Sequence, residues 1–77
     1  MKVPVYRYDR QGFAQKFGEI ELDKDQIVRV GGNVLVGEIR FEALTFWDNK
    51  RGTHLGLIPI YHYDEALLEA LMVGEPA

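Results

Sequence analysis

VLVGEIRFEALTFWD, residues 34–48, is too long for one flat strand, and the parity of its apolar residues decides what kind of sheet the chain builds. Leu35, Ile39, Phe41 and Ala43 share one parity, whereas Leu44 and Phe46 take the other. Strand residues point alternately to opposite faces, so the inward face switches near Ala43–Leu44. A bulge or sharp bend explains the switch, and small barrels turn corners by such bends. The stretch therefore predicts a sheet that curls.

The flanks of this stretch predict hairpins. Gly31, Gly32 and Asn33 stand between IVRV (27–30) and Val34, and their tolerance of positive φ predicts a tight turn with IVRV as the preceding strand. A glycine loop that cradles phosphate needs a following helix and a lysine or threonine at set spacing, and neither is present. On the other side NKRG (49–52) suits a type I turn with a glycine bulge. It leads into THLGLIPIYHY (53–63), a strand apolar on both faces around Leu57–Ile60, in which Pro59 predicts an edge or a bulge.

Towards the N-terminus, VPVYRYD (3–9) alternates, with Tyr6 and Tyr8 on one face and Val3, Val5 and Arg7 on the other. Pro4 has no amide hydrogen, which predicts a strand that starts there or lies at an edge. DRQG (9–12) places Asp and Gly as a turn requires, and FAQKFGEIEL (13–22) follows as the second strand. The spacing of Phe13 and Phe17 also fits a short helix, but Gly18 would cut such a helix to under two turns. As a strand, Gly18 marks a bulge beyond which Ile20 and Leu22 face the core and Glu19 and Glu21 face water. YDRQG (8–12) and WDNKRG (47–52) echo each other as two turns of similar geometry.

The last element is a helix over about 64–73. Asp64 is its N-cap, Glu65 and Glu69 suit its positive end, Leu67, Leu68, Leu71 and Met72 form its stripe, and Gly74 and Pro76 stop it. The expectation is one domain, residues 1–77, mainly β with one C-terminal helix. Its sheet is a small five-stranded antiparallel meander, a half-open barrel of the SH3 or OB kind, with the amphipathic helix as a cap and second layer.

At 77 residues the chain stands near the lower limit for an independent core. Without cysteine, and with two histidines, it has no disulfide and little with which to hold a metal, so a partner chain or a second copy is the natural extra support. The net charge of −3 is unevenly spread. Residues 1–18 hold four bases against one acid, residues 19–48 hold three against seven, and the remainder holds two against four. This balance argues against a nucleic-acid binder that works through bulk electrostatics. No apolar run has the length of a membrane span and the N-terminus lacks a signal-peptide pattern, so a cytoplasmic location without membrane contact is expected.

Composition also limits the chemistry. Serine and cysteine are absent, and Thr45 and Thr53 do not stand at a processed N-terminus, which removes the usual nucleophiles. Glu38 and Glu42, with Arg40 between them, would stand roughly 13 Å apart along a strand, too far for an acid/base pair and better read as a solvated charge ladder. His54 and His62, if one straight strand carried both, would be roughly 27 Å apart and unable to share a metal. No catalytic residue, metal or cofactor is expected.

The tyrosines carry the remaining signal. If the first and last strands approach each other, Tyr6, Tyr8, Tyr61 and Tyr63 cluster with Arg7, His62 or Trp47 nearby. Such a patch reads as half-buried core, as a protein interface, or as a base-stacking platform. The platform needs a basic rim, which Lys50 and Arg51 with Arg7 and Arg10 would supply if their turns lay together. The expected function is a non-enzymatic protein-binding module, regulatory, adaptor or inhibitory, of the kind that phage and mobile elements also encode. Tyr6, Tyr8, Trp47, Lys50, Arg51, His54, Tyr61, His62 and Tyr63 are its candidate contacts. A nucleic-acid-binding barrel is the second reading, and a small acid/base enzyme the third.

Overall fold

The computed structural model describes residues 1–23, 25–26 and 28–72. Its strands are β1 (Lys2–Tyr8), β2 (Ala14–Glu21), β3 (Asn33–Val36), β4 (Ile39–Asp48) and β5 (Gly52–Pro59), followed by helix α1 (Glu65–Leu71). They form one sheet in the order β2-β1-β5-β4-β3, curled into a half-barrel. The sheet is mixed rather than wholly antiparallel. β1 runs parallel to β5, with the bridge at Val5 and Leu57, while every other neighbouring pair is antiparallel. Pro4 and Pro59 both flank this seam, so neither lies on an edge strand as their missing amide hydrogens had suggested.

The decisive stretch breaks elsewhere than its parity predicts. A two-residue turn at Gly37–Glu38 divides it into β3 and β4, with Val36 paired to Ile39. Gly37 has φ +61°, the positive φ at the first central position that characterises a type II′ hairpin. A side chain there would be strained, and its Cβ would stand 3.3 Å from Leu71 Cδ2 of the helix. The turn puts Leu35 opposite Arg40 on the outer face, 51% exposed, while Val34 and Val36 face inward with Phe41 and Ile39. β4 itself carries no bulge at Ala43–Leu44: it keeps unbroken register with β5 from Phe41 to Asp48. The parity switches because the sheet packs apolar side chains on both faces.

The predicted strand at 27–30 does not form across Val28–Val30, and Ile27 lies outside the described residues. Arg29–Gly32 makes a turn closed by Gly32 N–H to Arg29 O at 2.8 Å. Gly31 and Gly32 then both face Ala43, donating to its carbonyl (2.6 Å) and accepting from its amide (2.9 Å) respectively. The bulge expected within 34–48 thus resides in the chain beside it.

At the other edge the bulge is where Gly18 predicted it. Val5 pairs with Gly18 and Tyr6 with Lys16, leaving Phe17 as the extra residue. Phe17 packs against the core, whereas Phe13 precedes the strand and is exposed. One core occupies the concave face: Val3, Val5, Ile20, Leu22, Val34, Ile39, Phe41, Ala43 and Leu57, covered by Leu68 of α1. Asp64 caps the helix by accepting from Ala66 N–H at 2.8 Å. The helix is shorter than predicted, and Leu67 falls outside the buried stripe at 41% exposed. The predicted stop at Gly74 and Pro76 lies outside the described residues. β5 ends at Pro59, so Tyr61, His62 and Tyr63 belong to the link into α1 and not to a strand.

Candidate functional site

The parallel seam separates the candidate residues into two groups. Because β1 and β5 run the same way, the β1–β2 turn (9–12) lies at the end of the sheet where both finish. The β4–β5 turn (49–51) lies at the opposite end, where β5 begins. Arg7 and Arg10 are therefore at one end and Lys50 and Arg51 at the other, and the expected basic rim does not form.

Each turn is built on an aspartate. Asp9 Oδ1 accepts from the amides of Gln11 and Phe13 (both 2.9 Å), and Asp48 Oδ1 from those of Lys50 (2.9 Å) and Arg51 (2.6 Å). Each turn closes on a glycine with positive φ, Gly12 and Gly52. The sequence echo is therefore one turn solution used twice, with Asp48 rather than Asn49 as the anchor. The Phe13 amide holds the Asp9 carboxyl below its ordinary pKa, and the Arg51 amide does the same for Asp48. Glu19 is lowered by its hydrogen bonds to Lys16 Nζ (3.2 Å) and Arg51 Nη2 (3.3 Å).

All three carboxylates have lowered folded-state pKa values, so the stability they contribute is present above their unfolded values and lost as pH falls through the folded ones. Thermal midpoints should therefore decline as pH drops below about 4. An Asp9→Asn/Asp48→Asn protein should be less stable at neutral pH and lose less on acidification. Equal pH slopes for the two proteins would refute this role.

At the β4–β5 end Tyr6 and His54 satisfy each other. Tyr6, only 6% exposed, stacks on Phe46 with ring centroids 4.0 Å apart and planes at 12°. Its hydroxyl stands 2.5 Å from His54 Nε2, and His54 Nδ1 stands 3.0 Å from Gly52 O. A carbonyl only accepts, so Nδ1 carries the proton and Nε2 accepts from the phenol. Burial, and then the Asp48 charge, raise the Tyr6 pKa. Gly56 makes room for the stack: a Cβ there would stand 2.6 Å from Phe46 Cδ2 and 2.8 Å from Tyr6 Cε1. Tyr6 and His54 are thus structural partners on the outer face of the sheet. Lys50 and Trp47 remain exposed at this end, Trp47 at 68%, while Arg51 pairs with Glu19.

At the other end stand Tyr8, Tyr61, His62 and Tyr63. Tyr8 and Tyr63 line an open cleft of about 190 Å³ with Arg7, Ile58 and Pro59. A second cleft, of about 180 Å³, lies on the β2 side of Arg7 and Tyr8, against Phe17 and Lys16. Arg7 holds its place between Phe17, whose ring centroid is 4.9 Å from the guanidinium carbon, and Glu65, 2.8 Å from Nη2. Tyr8, Phe13 and Tyr61 are exposed by 58%, 64% and 77%. Tyr63 is half-buried against the core, so the four tyrosines do not form a single patch. Phe13 was not among the candidates. Its signal was an aromatic placed directly after the turn glycine, where no strand face is available to bury it.

Among the described residues, no three of His, Cys, Asp and Glu come together as a metal-binding set, and no helix is long and apolar enough to cross a membrane. No family model matches the chain, and neither a curated protein nor a solved structure matches it.

Proposed function

We propose that the protein is a non-enzymatic module that binds another protein through the end of the sheet where β1 and β5 finish. The observation that carries this reading is Tyr61. Its backbone sits at φ +62°, in the left-handed region that a bulky side chain rarely adopts, yet the residue is 77% exposed. Neither burial nor a hydrogen bond among the described residues compensates for that conformation, and strain of this kind concentrates at functional positions. Tyr8 and Phe13 stand exposed at the same end beside the two clefts, supplying the rigid aromatic anchors that protein interfaces favour. His62 and Tyr63 belong to the same link. Trp47 and Lys50, at the opposite end, belong to a different surface. The nucleic-acid reading loses its basic rim, because the turns lie apart and Arg7 and Arg51 are paired with glutamates. The half-barrel shape carries no function by itself.

Replacing Tyr61 with glycine removes both ring and strain. The protein should become more stable, by about 1 kcal/mol, while losing its partner. Affinity capture from a lysate of the source organism, with and without nuclease, tests this by comparing the natural protein with Tyr61→Gly and Tyr8→Ala. A partner retained after nuclease and lost in both variants supports the reading. A partner lost on nuclease treatment, or held equally by the variants, overturns it.

A further inference from the structure

We propose that the outer edge of β4 at Thr45–Trp47 is a pairing site for a second copy of this chain, the two β4 strands joining antiparallel around Phe46. The hydrogen bonds fix which way the backbone points. Both the amide and the carbonyl of Ala43 are bonded to Gly31–Gly32 on the β3 side, whereas the carbonyl of Arg40 accepts from Ile60 N–H on the β5 side. Backbone groups alternate along an antiparallel strand, and β4 has no register break. Thr45 and Trp47 therefore point their amides and carbonyls to the same side as Ala43. β3 begins at Asn33, opposite Glu42, and Arg29–Gly32 forms the turn that precedes it. Among the described residues nothing bonds to these four outward groups.

The edge lacks the features that normally discourage pairing, namely lysine, proline, a bulge or an inward charge. Residues 43–47, ALTFW, are uncharged. By contrast β2, the opposite edge strand, carries a bulge and Lys16, Glu19 and Glu21, and the Leu35 carbonyl on β3 accepts from Gln26 Nε2 at 3.3 Å. The uncovered run is also self-complementary. With a two-fold axis at Phe46, Thr45 of each chain faces Trp47 of the other, and the two pairs exchange four backbone hydrogen bonds without opposing like charges. Two tryptophans, each 68% exposed in the single chain, would be shielded. A contact of this size is small for a stable interface, so the dimer is reversible and depends on protein concentration.

Thr45→Pro tests the site selectively, because the amide it removes points outward and takes part in no bond among the described residues. Sedimentation equilibrium from micromolar to millimolar protein should show the natural chain moving from 8.8 kDa towards twice that mass. Hydrogen exchange at the Thr45 and Trp47 amides should slow as protein concentration rises. Thr45→Pro should stay at 8.8 kDa with its circular dichroism unchanged. Should that variant fail to fold, Trp47→Lys provides the same block by edge charge. A natural chain that remains monomeric at millimolar concentration overturns the proposal. So does dimerisation undiminished in a folded variant, or protection of both amides at every concentration, which would mean that the chain covers its own edge.

Discussion

Phe41→Ala is expected to lower the stability of the fold by about 3–5 kcal/mol. Phe41 is fully buried, pairs with Val34 on one side and Pro59 on the other, and stands at the middle of the concave core. Removing its ring leaves a cavity lined by backbone-anchored strands, which cannot collapse as a helix surface can. A domain of this length has a total margin of roughly 4–12 kcal/mol. Each kcal/mol moves the midpoint by about 4–8 °C at this size, so a drop of about 12–40 °C is expected in thermal unfolding. Leu35→Ala is the matched control, since parity alone would group Leu35 with Phe41 whereas the hairpin places it outside. Its cost should stay below about 1 kcal/mol, as for other exposed positions. Comparable losses from the two changes would mean that the turn does not lie at Gly37–Glu38.

Gly56→Val is expected to cost about 3 kcal/mol through the outer face instead. The added side chain must enter the space where Phe46 and Tyr6 already meet, and both rings are held in place, Tyr6 by its bond to His54. The rings must part, and the hydrogen bond between the phenol and the imidazole goes with them. Chemical denaturation measures the loss, and nuclear magnetic resonance of His54 separates it from a general loosening: the Nδ1-protonated tautomer should give way to a mixture. A Gly56→Val protein of natural stability, with His54 unchanged, would refute the stack.

The local devices were legible in the sequence because they are made by neighbouring residues. The Asp9 turn, the glycine-closed turn before β5, the bulge at Gly18 and the Asp64 cap all follow from side-chain chemistry within a few positions, although the turn before β5 is anchored by Asp48 and not by Asn49. What escaped was set by distant contacts. No local pattern in VPVYRYD says that β1 lies parallel to β5, and that pairing is what puts Arg10 and Arg51 at opposite ends. VLVGEIR was misread for a different reason: glycine at Gly37 fits a strand interior as easily as a two-residue turn, and the alternation on either side of it survives in both. The parity switch at Leu44 was a true signal with the wrong cause, because an outer-face cluster and a bend produce the same pattern. At the candidate site, the single patch expected of Tyr6, Tyr8, Tyr61 and Tyr63 is divided, with Tyr61 exposed and Tyr6 buried. Half-buried core was one reading of that patch, but the packing partners of Tyr6 were not legible, since Phe46 and Gly56 arrive from strands forty or more residues away.

The seam between β1 and β5 also sets the order in which the chain can fold. The β1–β2 hairpin and the β3–β4–β5 meander each close through short turns, whereas Val5 meets Leu57 only after a loop of about fifty residues has been ordered. On the ribosome the first hairpin must wait for β5 to emerge before it gains its second neighbour. It spends that time as a two-stranded ribbon, which is marginally stable at best in water. The molecule is thus two pieces joined late. A chain cut in the link between β2 and β3 and supplied as two fragments should reassemble across that seam, at a rate proportional to fragment concentration.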